Sequence, residues 1–310
     1  MTQAAAANTT GFEYLPPTRS RTRWIRNFIR REPLGTIGAV LILIIVLAAV
    51  AAPLVTTDNP QAFSADVLKS PSTDHFFGTT REGKDVYSRV VYGARVSLKV
   101  GVATVVISLL GGTALALVAG FLGGAVDWIL SRLAEILITF PAILFALTIR
   151  TSFGKDIPEN LPGISRGELL VIIAICVVFT PVIFRVMRGA VLEQRNALYI
   201  ESARVLGASQ VRIMVRHILP NLAGLMIILT STTLPAAILL ESGLSFLGVG
   251  VEVGTPSWGA DLSGSARSFF ARAPWIAVFP GLALSIAVLA FNLLGDSLRD
   301  TLDPRLRGKI

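Results

Sequence analysis

The chain has 310 residues, of which 53% are hydrophobic and only 15% charged, and its mean hydropathy is +0.67. A soluble domain of that composition would leave a large apolar patch in water, so the balance excludes an ordinary globular protein and points to a polytopic membrane protein. The net charge of +8 would suit nucleic acid, but the basic residues cluster beside apolar runs, the pattern of membrane-flanking loops, and no nucleic-acid partner is expected.

Residues 1–20 are rich in Ala, Thr and Pro without apolar period and read as disordered. Arg19, Arg21, Arg23, Arg26, Arg30 and Arg31 follow, so residues 1–33 are expected to form a cytoplasmic tail. The apolar run Leu34–Ala52 would span roughly 29 Å as a helix, close to one hydrocarbon core. It is too long for the apolar part of a signal peptide, and Pro53-Leu54-Val55 is no small-residue cleavage site, so 34–55 is read as an uncleaved first transmembrane helix. A mixed-charge extracytoplasmic segment, 56–95, comes next. Five further apolar runs cover Val96–Gly120, Trp128–Ile149, Glu168–Met187, Leu222–Leu240 and Trp275–Gly295, within a core at 96–298. The fold class expected is therefore an all-α polytopic membrane protein with six transmembrane helices. Six crossings return residues 299–310, with Arg299, Arg305, Arg307 and Lys309, to the cytoplasm. The 56–95 segment, with Lys69, Arg81, Lys84, Arg89 and Arg95, fits this topology least well.

The apolar runs carry almost no charge. Glu135 and Glu241 are the carboxylates nearest membrane depth and read as helix-packing or interfacial groups, which disfavours a proton-coupled carrier. Gly111-Gly112, Gly120 and Gly124 offer small residues for close helix approach in lipid. The lone cysteine, Cys176, lies in an apolar run and reads as a small buried residue.

No enzyme constellation is present: the two histidines, His75 and His217, are far apart, and no HExxH pair, Cys/His ligand set or GxSxG elbow occurs. The phosphate-binding pattern GxxxxGK[ST] is absent too, so any uphill transport must draw its energy from a partner. One polar island, Asn196–Asn221, interrupts the membrane pattern. Leu198–Val205 suits a short helix with Glu201 at its positive end, and Gly207 permits a turn that a side chain would resist. A second short helix is expected over Ser209–His217, with Ser209 as N-cap, Val211, Met214, Val215 and Ile218 on one apolar face, and Pro220 as its stop. Two occupants suit that face equally: the groove of a partner protein and the surface of an anionic bilayer.

The stretch ESARVLGAS…HILPN resembles the EAA loop of permease subunits of ABC importers, with Glu201, Ala203, Gly207, Leu219 and Pro220 on the pattern and Ser202 a mild departure. FGTTREGKDVYSRVVYGARVSL (77–98), ESGLSFLGVGV (241–251), TPSWG (255–259) and AFNLLGDSLRDTLDPRLR (290–307) are similar to the dipeptide/oligopeptide/nickel branch, in the subunit with an N-terminal extension. The resemblance runs from Arg31 onward and implies a type I ABC importer permease fold in a bacterial inner membrane, both termini cytoplasmic. It also implies that the island, 196–221, is a cytoplasmic coupling helix seated in an ATPase subunit. Glu201, Ser202, Ala203, Arg204, Gly207, Arg212, His217 and Pro220 would make that contact. The partners implied are two ABC ATPases, which bind the ATP and Mg, a second and non-identical permease, and an extracytoplasmic substrate-binding protein. The chain itself would hold no cofactor and no metal. Thr80 and Lys84 depart from the family's GTDxxGRD signature, and this loop is given no ligand role. Among the family's substrates a peptide is expected ahead of nickel or another small solute, because the apolar runs offer almost no metal ligands.

Overall fold

A computed structural model describes residues 29–302, apart from 57, 154–159, 162 and 253. The arginines at 19–26 and the basic residues at 305–309 fall outside the described residues. The first long helix, α1 (Pro33–Val50), is followed by one extra turn, α2 (Ala52–Val55). Helix α3 (Val86–Leu122) leads into α4 (Gly124–Thr139) and α5 (Ala142–Phe153). A two-residue antiparallel hairpin, β1 (Asn160–Leu161) and β2 (Ile164–Ser165), precedes α6 (Arg166–Arg195). The island folds as α7 (Leu198–Val205), α8 (Gln210–Arg212), a π-helical turn (Ile213–Ile218) and α9 (Leu219–Asn221). Helix α10 (Ala223–Phe246), the short α11 (Trp258–Leu262) and α12 (Ser265–Phe269), and α13 (Trp275–Leu302) complete the described chain.

Five helices, α1, α3, α6, α10 and α13, are each long and apolar enough to cross a membrane. The expected span 128–149 is broken instead. Helices α4 and α5 meet at 96° across Phe140-Pro141, and the pair makes a sixth span only if counted as one. The cause is local: Pro141 crowds the residue before it out of the helical region, and Phe140 is extended at φ −77°, ψ 133°. Helices α3 and α6 also run past their apolar stretches, to Val86 rather than Val96 and to Arg195 rather than Met187. Hydropathy marks where a helix meets lipid, whereas caps mark where it ends. Asp85 caps α3 by accepting from the Ser88 amide at 2.7 Å, and Ser165 with Glu168 forms a reciprocal capping box on α6.

The bundle is organised by a stripe of small residues on α3: Ser97, Gly101, Thr104, Ser108, Gly112, Ala116 and Gly120, all buried. In lipid there is little apolar driving force between helices, so close backbone approach supplies dispersion contacts instead. A Cβ at Gly112 would sit 2.9 Å from both Ile183 Cγ2 and the Thr180 carbonyl of α6, and one at Gly120 would sit 2.8 Å from Val191 Cγ1. Gly111 and Gly124, the other candidates for close approach, meet nothing nearer than 3.7 Å. Toward its start the same stripe receives α10, with Gly101 against Ile238 at 2.9 Å. There Glu241 is fully buried, accepting hydrogen bonds from Ser97 Oγ (2.9 Å) and Ser245 Oγ (2.8 Å). It is a packing carboxylate that ties α3 to α10. Glu135, by contrast, is exposed and paired with Arg132 at 3.1 Å. Helix α1 lies on α13 through Gly38, whose Cβ position is 2.6 Å from the Ala290 carbonyl.

The seam yields a test on two neighbouring glycines. Gly112→Ala should destabilise the bundle by about 1–3 kcal/mol through overpacking. Gly111→Ala should leave it unchanged or slightly firmer, since Ala is the better helix former. Thermal unfolding in detergent reads both, and equal effects at the two positions would contradict this packing.

Candidate functional site

The island lies where α3, α6 and α13 end and α10 begins. Its framework is apolar. Ile200 and Ala203 of α7 and Ile213 and Ile218 of the π turn are buried together with Ala119, Phe121, Val191 and Leu222. The expected apolar face at Val211, Met214, Val215 and Ile218 is split: Val211 and Val215 are exposed, as a docking face requires, while Ile218 and part of Met214 pack inward beside Ile213. A π turn hydrogen-bonds from i to i+5, so residues five apart, Ile213 and Ile218, share a face where an α-helix would align three and four. Pro220 does not stop the helix. It lies in α9 directly after the π turn, and the break comes at Leu222. A proline ring clashes with the carbonyl four residues before it in a regular helix, and the wider turn gives it room.

The turn between α7 and α8 is rigid. The Gly207 amide donates to the Arg204 carbonyl (2.9 Å) and the Ala208 amide to the Ala203 carbonyl (3.0 Å), the paired bonds of a Schellman motif. That motif requires a left-handed residue, and Gly207 has φ +78°. Ser209 then caps α8 by accepting from the Arg212 amide at 3.4 Å, as its place in the sequence predicts. Polar side chains brace the outside. Tyr199 Oη donates to Gln194 Oε1 (2.5 Å), and Asn221 Nδ2 donates to the His217 carbonyl (2.6 Å) and to Tyr199 Oη (3.3 Å). The Arg204 guanidinium lies 5.4 Å from the Phe121 ring centroid, and Arg195 donates to the Gly120 carbonyl at 3.2 Å.

Of the residues expected to meet a partner, Glu201, Ser202, Arg204, Gly207, Arg212 and Pro220 are exposed, and His217 is half-buried. Ala203 is turned into the bundle and seats the helix rather than presenting a surface. The residues that project most are ones that the motif reading passed over: Leu198 is 80% exposed, Val205 87% and Leu206 85%. Val205 and Leu206, two large aliphatic residues exposed on a braced turn and flanked by Arg204 and Gly207, have the composition of a docking surface.

The opposite end of the bundle carries polar structure that spacing alone did not disclose. Arg89 and Asp261 form a buried ion pair across 172 residues of chain. Lys99, within an expected span, lies 2.6 Å from Glu168. Asp58, His75 and Asp85 bring one potential ligand atom each within 4.8 Å of one another. Two of the three are already engaged internally: His75 Nδ1 is 3.2 Å from Asp85 Oδ1, His75 Nε2 is 3.4 Å from Asp66 Oδ2, and Asp85 caps α3.

Long apolar helices around a small-residue seam, with a braced and partly apolar elbow at one end, define a polytopic membrane subunit built to work with other proteins. The chain belongs to the family of binding-protein-dependent transport system inner membrane components, which matches residues 112–308. It is similar to the dipeptide transport system permease protein DppC of Alkalihalophilus pseudofirmus, 37% identical over 280 residues, 90% of this chain and 88% of that one. It is also similar to a putative peptide transport system permease protein of Brucella suis, 40% identical over 283 residues and 91% of each chain. The glutathione transport system permease protein GsiD of Pectobacterium atrosepticum is 37% identical over 291 residues, 93% of each. The chain is therefore an ABC-importer permease component of the inner membrane, not a catalytic enzyme, and it works with separate permease, ATPase and binding-protein subunits.

The anchoring of the elbow can be measured. Ile200→Ala should cost about 2–5 kcal/mol, the loss on emptying a packed aliphatic site. Leu206→Ala should stay within about 0.5 kcal/mol, as an exposed residue does. Denaturant titration of the purified permease distinguishes them, and a larger loss at Leu206 would reverse the assignment of inward and outward faces.

Proposed function

We propose that this chain forms half of the translocation pathway of a peptide importer, with its elbow seated in a cytoplasmic ATPase. A second, non-identical permease completes the pathway, and a substrate-binding protein delivers di- or oligopeptides to the other face. Both termini then lie in the cytoplasm. The observation that carries the coupling role is the projecting knob at Val205 and Leu206, flanked by Glu201, Arg204 and Arg212 on a turn locked by Gly207. A knob of fixed backbone transmits a push, whereas a flexible loop absorbs it. Its geometry also favours a protein groove over a bilayer surface. The inner face of α7 is spent on the bundle through Ile200 and Ala203, and its most exposed apolar groups, Val205 and Leu206, project from the turn at its end. The peptide assignment draws on the relatives, whose names specify dipeptide, peptide and glutathione, each of them joined by amide bonds. ATP and Mg are bound by the ATPase subunits in this reading.

Two substitutions test the coupling in the complete complex reconstituted in vesicles. Leu206→Glu should leave the unfolding midpoint of the permease unchanged while lowering ATP-driven uptake of a labelled dipeptide about ten-fold. Gly207→Val meets open space but must place a branched side chain at φ +78°, at a cost of about 1–2 kcal/mol, and should uncouple ATP hydrolysis from uptake. Normal uptake and normal ATPase activity in both variants would remove the coupling role from the elbow. Uptake blocked by excess Ni²⁺ but not by excess unlabelled dipeptide would remove the peptide assignment.

A further inference from the structure

The end of the bundle opposite the elbow holds a cavity of about 220 Å³, bordered by the loop before α3, the 247–264 connection and α13. Glu82, Lys84, Arg89, Thr255, Asp261 and Ser263 are among the residues that line it. Within it stands the buried ion pair of Arg89 and Asp261, each 9% exposed at its side chain. Asp261 Oδ1 accepts from Arg89 Nε at 2.8 Å and also from one of its terminal amines. The other terminal amine of Arg89 donates to the carbonyls of Pro60 (3.1 Å) and Gly254 (3.3 Å). Asp261 Oδ2 is buried and has no hydrogen-bond partner among the described residues.

A carboxylate oxygen buried without a protein donor is costly, so its persistence calls for a bound donor such as water, an ion or a ligand group. No cationic side chain of the cavity is left over for that role. Arg89 is spent on Oδ1 and two carbonyls, while Lys84 Nζ lies 2.5 Å from Glu82 Oε2 and 4.7 Å from the centroid of the Phe63 ring. Burial pushes the Asp261 carboxyl above its ordinary value, against the pull of Arg89, so a further positive charge beside it would favour the ionised form. The space is larger than a single water needs, since one water occupies about 30 Å³ of liquid volume. A primary ammonium supplies three N–H donors on a tetrahedral centre, to be shared between Oδ2 and neighbouring hydroxyls.

We propose that this cavity receives the α-ammonium group of a peptide in transit, with Asp261 Oδ2 as its carboxylate partner and the hydroxyls of Thr255 and Ser263 as further acceptors. The assignment rests on the peptide reading above, and it adds a specificity element within the permease itself: a free amino terminus is favoured over a blocked one. The loop that carries Thr80 and Lys84, where the sequence departs from its family's signature, thereby gains a part as one wall of a ligand site.

The test uses the complete permease–ATPase complex in nanodiscs, without the binding protein, and calorimetric titration with trialanine, N-acetyl-trialanine and glycinamide. Trialanine and glycinamide should bind, and acetylation should weaken binding at least about ten-fold. Asp261→Asn keeps an acceptor for Arg89 and places an amide at the other position, and it should abolish the preference for the free amine. Equal binding of free and acetylated peptide to the wild type would overturn the proposal, as would an intact preference in Asp261→Asn. The wild-type comparison needs no variant, so it decides the matter even where Asp261→Asn fails to assemble. Uptake of labelled trialanine with the binding protein present, run in parallel, separates the two readings. Uptake without any amine preference sinks the cavity site alone. Glycinamide binding that depends on Asp261, with trialanine neither bound nor carried, sinks the peptide reading and the peptide assignment of the cavity with it.

Discussion

Helices α3 and α6 cannot approach as they do unless residues 112 and 120 lack a side chain, and the rest of the bundle is arranged around that approach. The two helices run side by side, so that the stripe on α3 meets α6 along Gly112–Gly120 and α10 nearer its start. Lipid offers apolar side chains the same environment that a neighbouring helix does. Close backbone contact, and the dispersion it brings, is what remains to hold helices together. The hydroxyls of Ser97, Thr104 and Ser108 serve the same end, being small enough for the seam, and Ser97 also satisfies the buried Glu241.

Helix α3 has 37 residues and would measure about 55 Å, more than a hydrocarbon core, so it reaches both ends of the molecule. At one end its Ala119 and Phe121 belong to the apolar cluster that seats the elbow. At the other its first turns carry Arg89, bound to Asp261, and the Val90 carbonyl, which accepts from Trp258 Nε1 at 3.0 Å. The elbow and the far cavity are thus attached to one rigid element.

The elbow combines a strong local rule with a tertiary one. Gly207 must be left-handed to close the Schellman turn, and Ser209 then caps the next helix; both follow from residue chemistry over a few positions. The faces do not follow so simply. A reading at the α-helical period put Val211, Met214, Val215 and Ile218 on one face, whereas across the π turn Val211 and Val215 stay outward and Ile218 turns inward beside Ile213. The wide turn brings Ile213 and Ile218 into the apolar cluster of Val191 and Ile200 and leads directly into Pro220 in α9. Membership of that cluster is not local information.

Composition, apolar run length and the basic flanks were sufficient for the membrane class, for the positions of five spans and for the presence of one polar island, because these depend on the transfer of single segments between water and lipid. The break at Phe140-Pro141 was missed, because run length averages over a proline whose two-residue steric rule ends the helix. Which glycines touch a neighbour, where the long helices end, which face of the elbow is buried, and that Arg89 finds Asp261 across 172 residues were decided only by the tertiary structure. Each is a contact between segments distant in the chain, and a one-dimensional pattern carries the sizes and charges of such partners but not their distance in space.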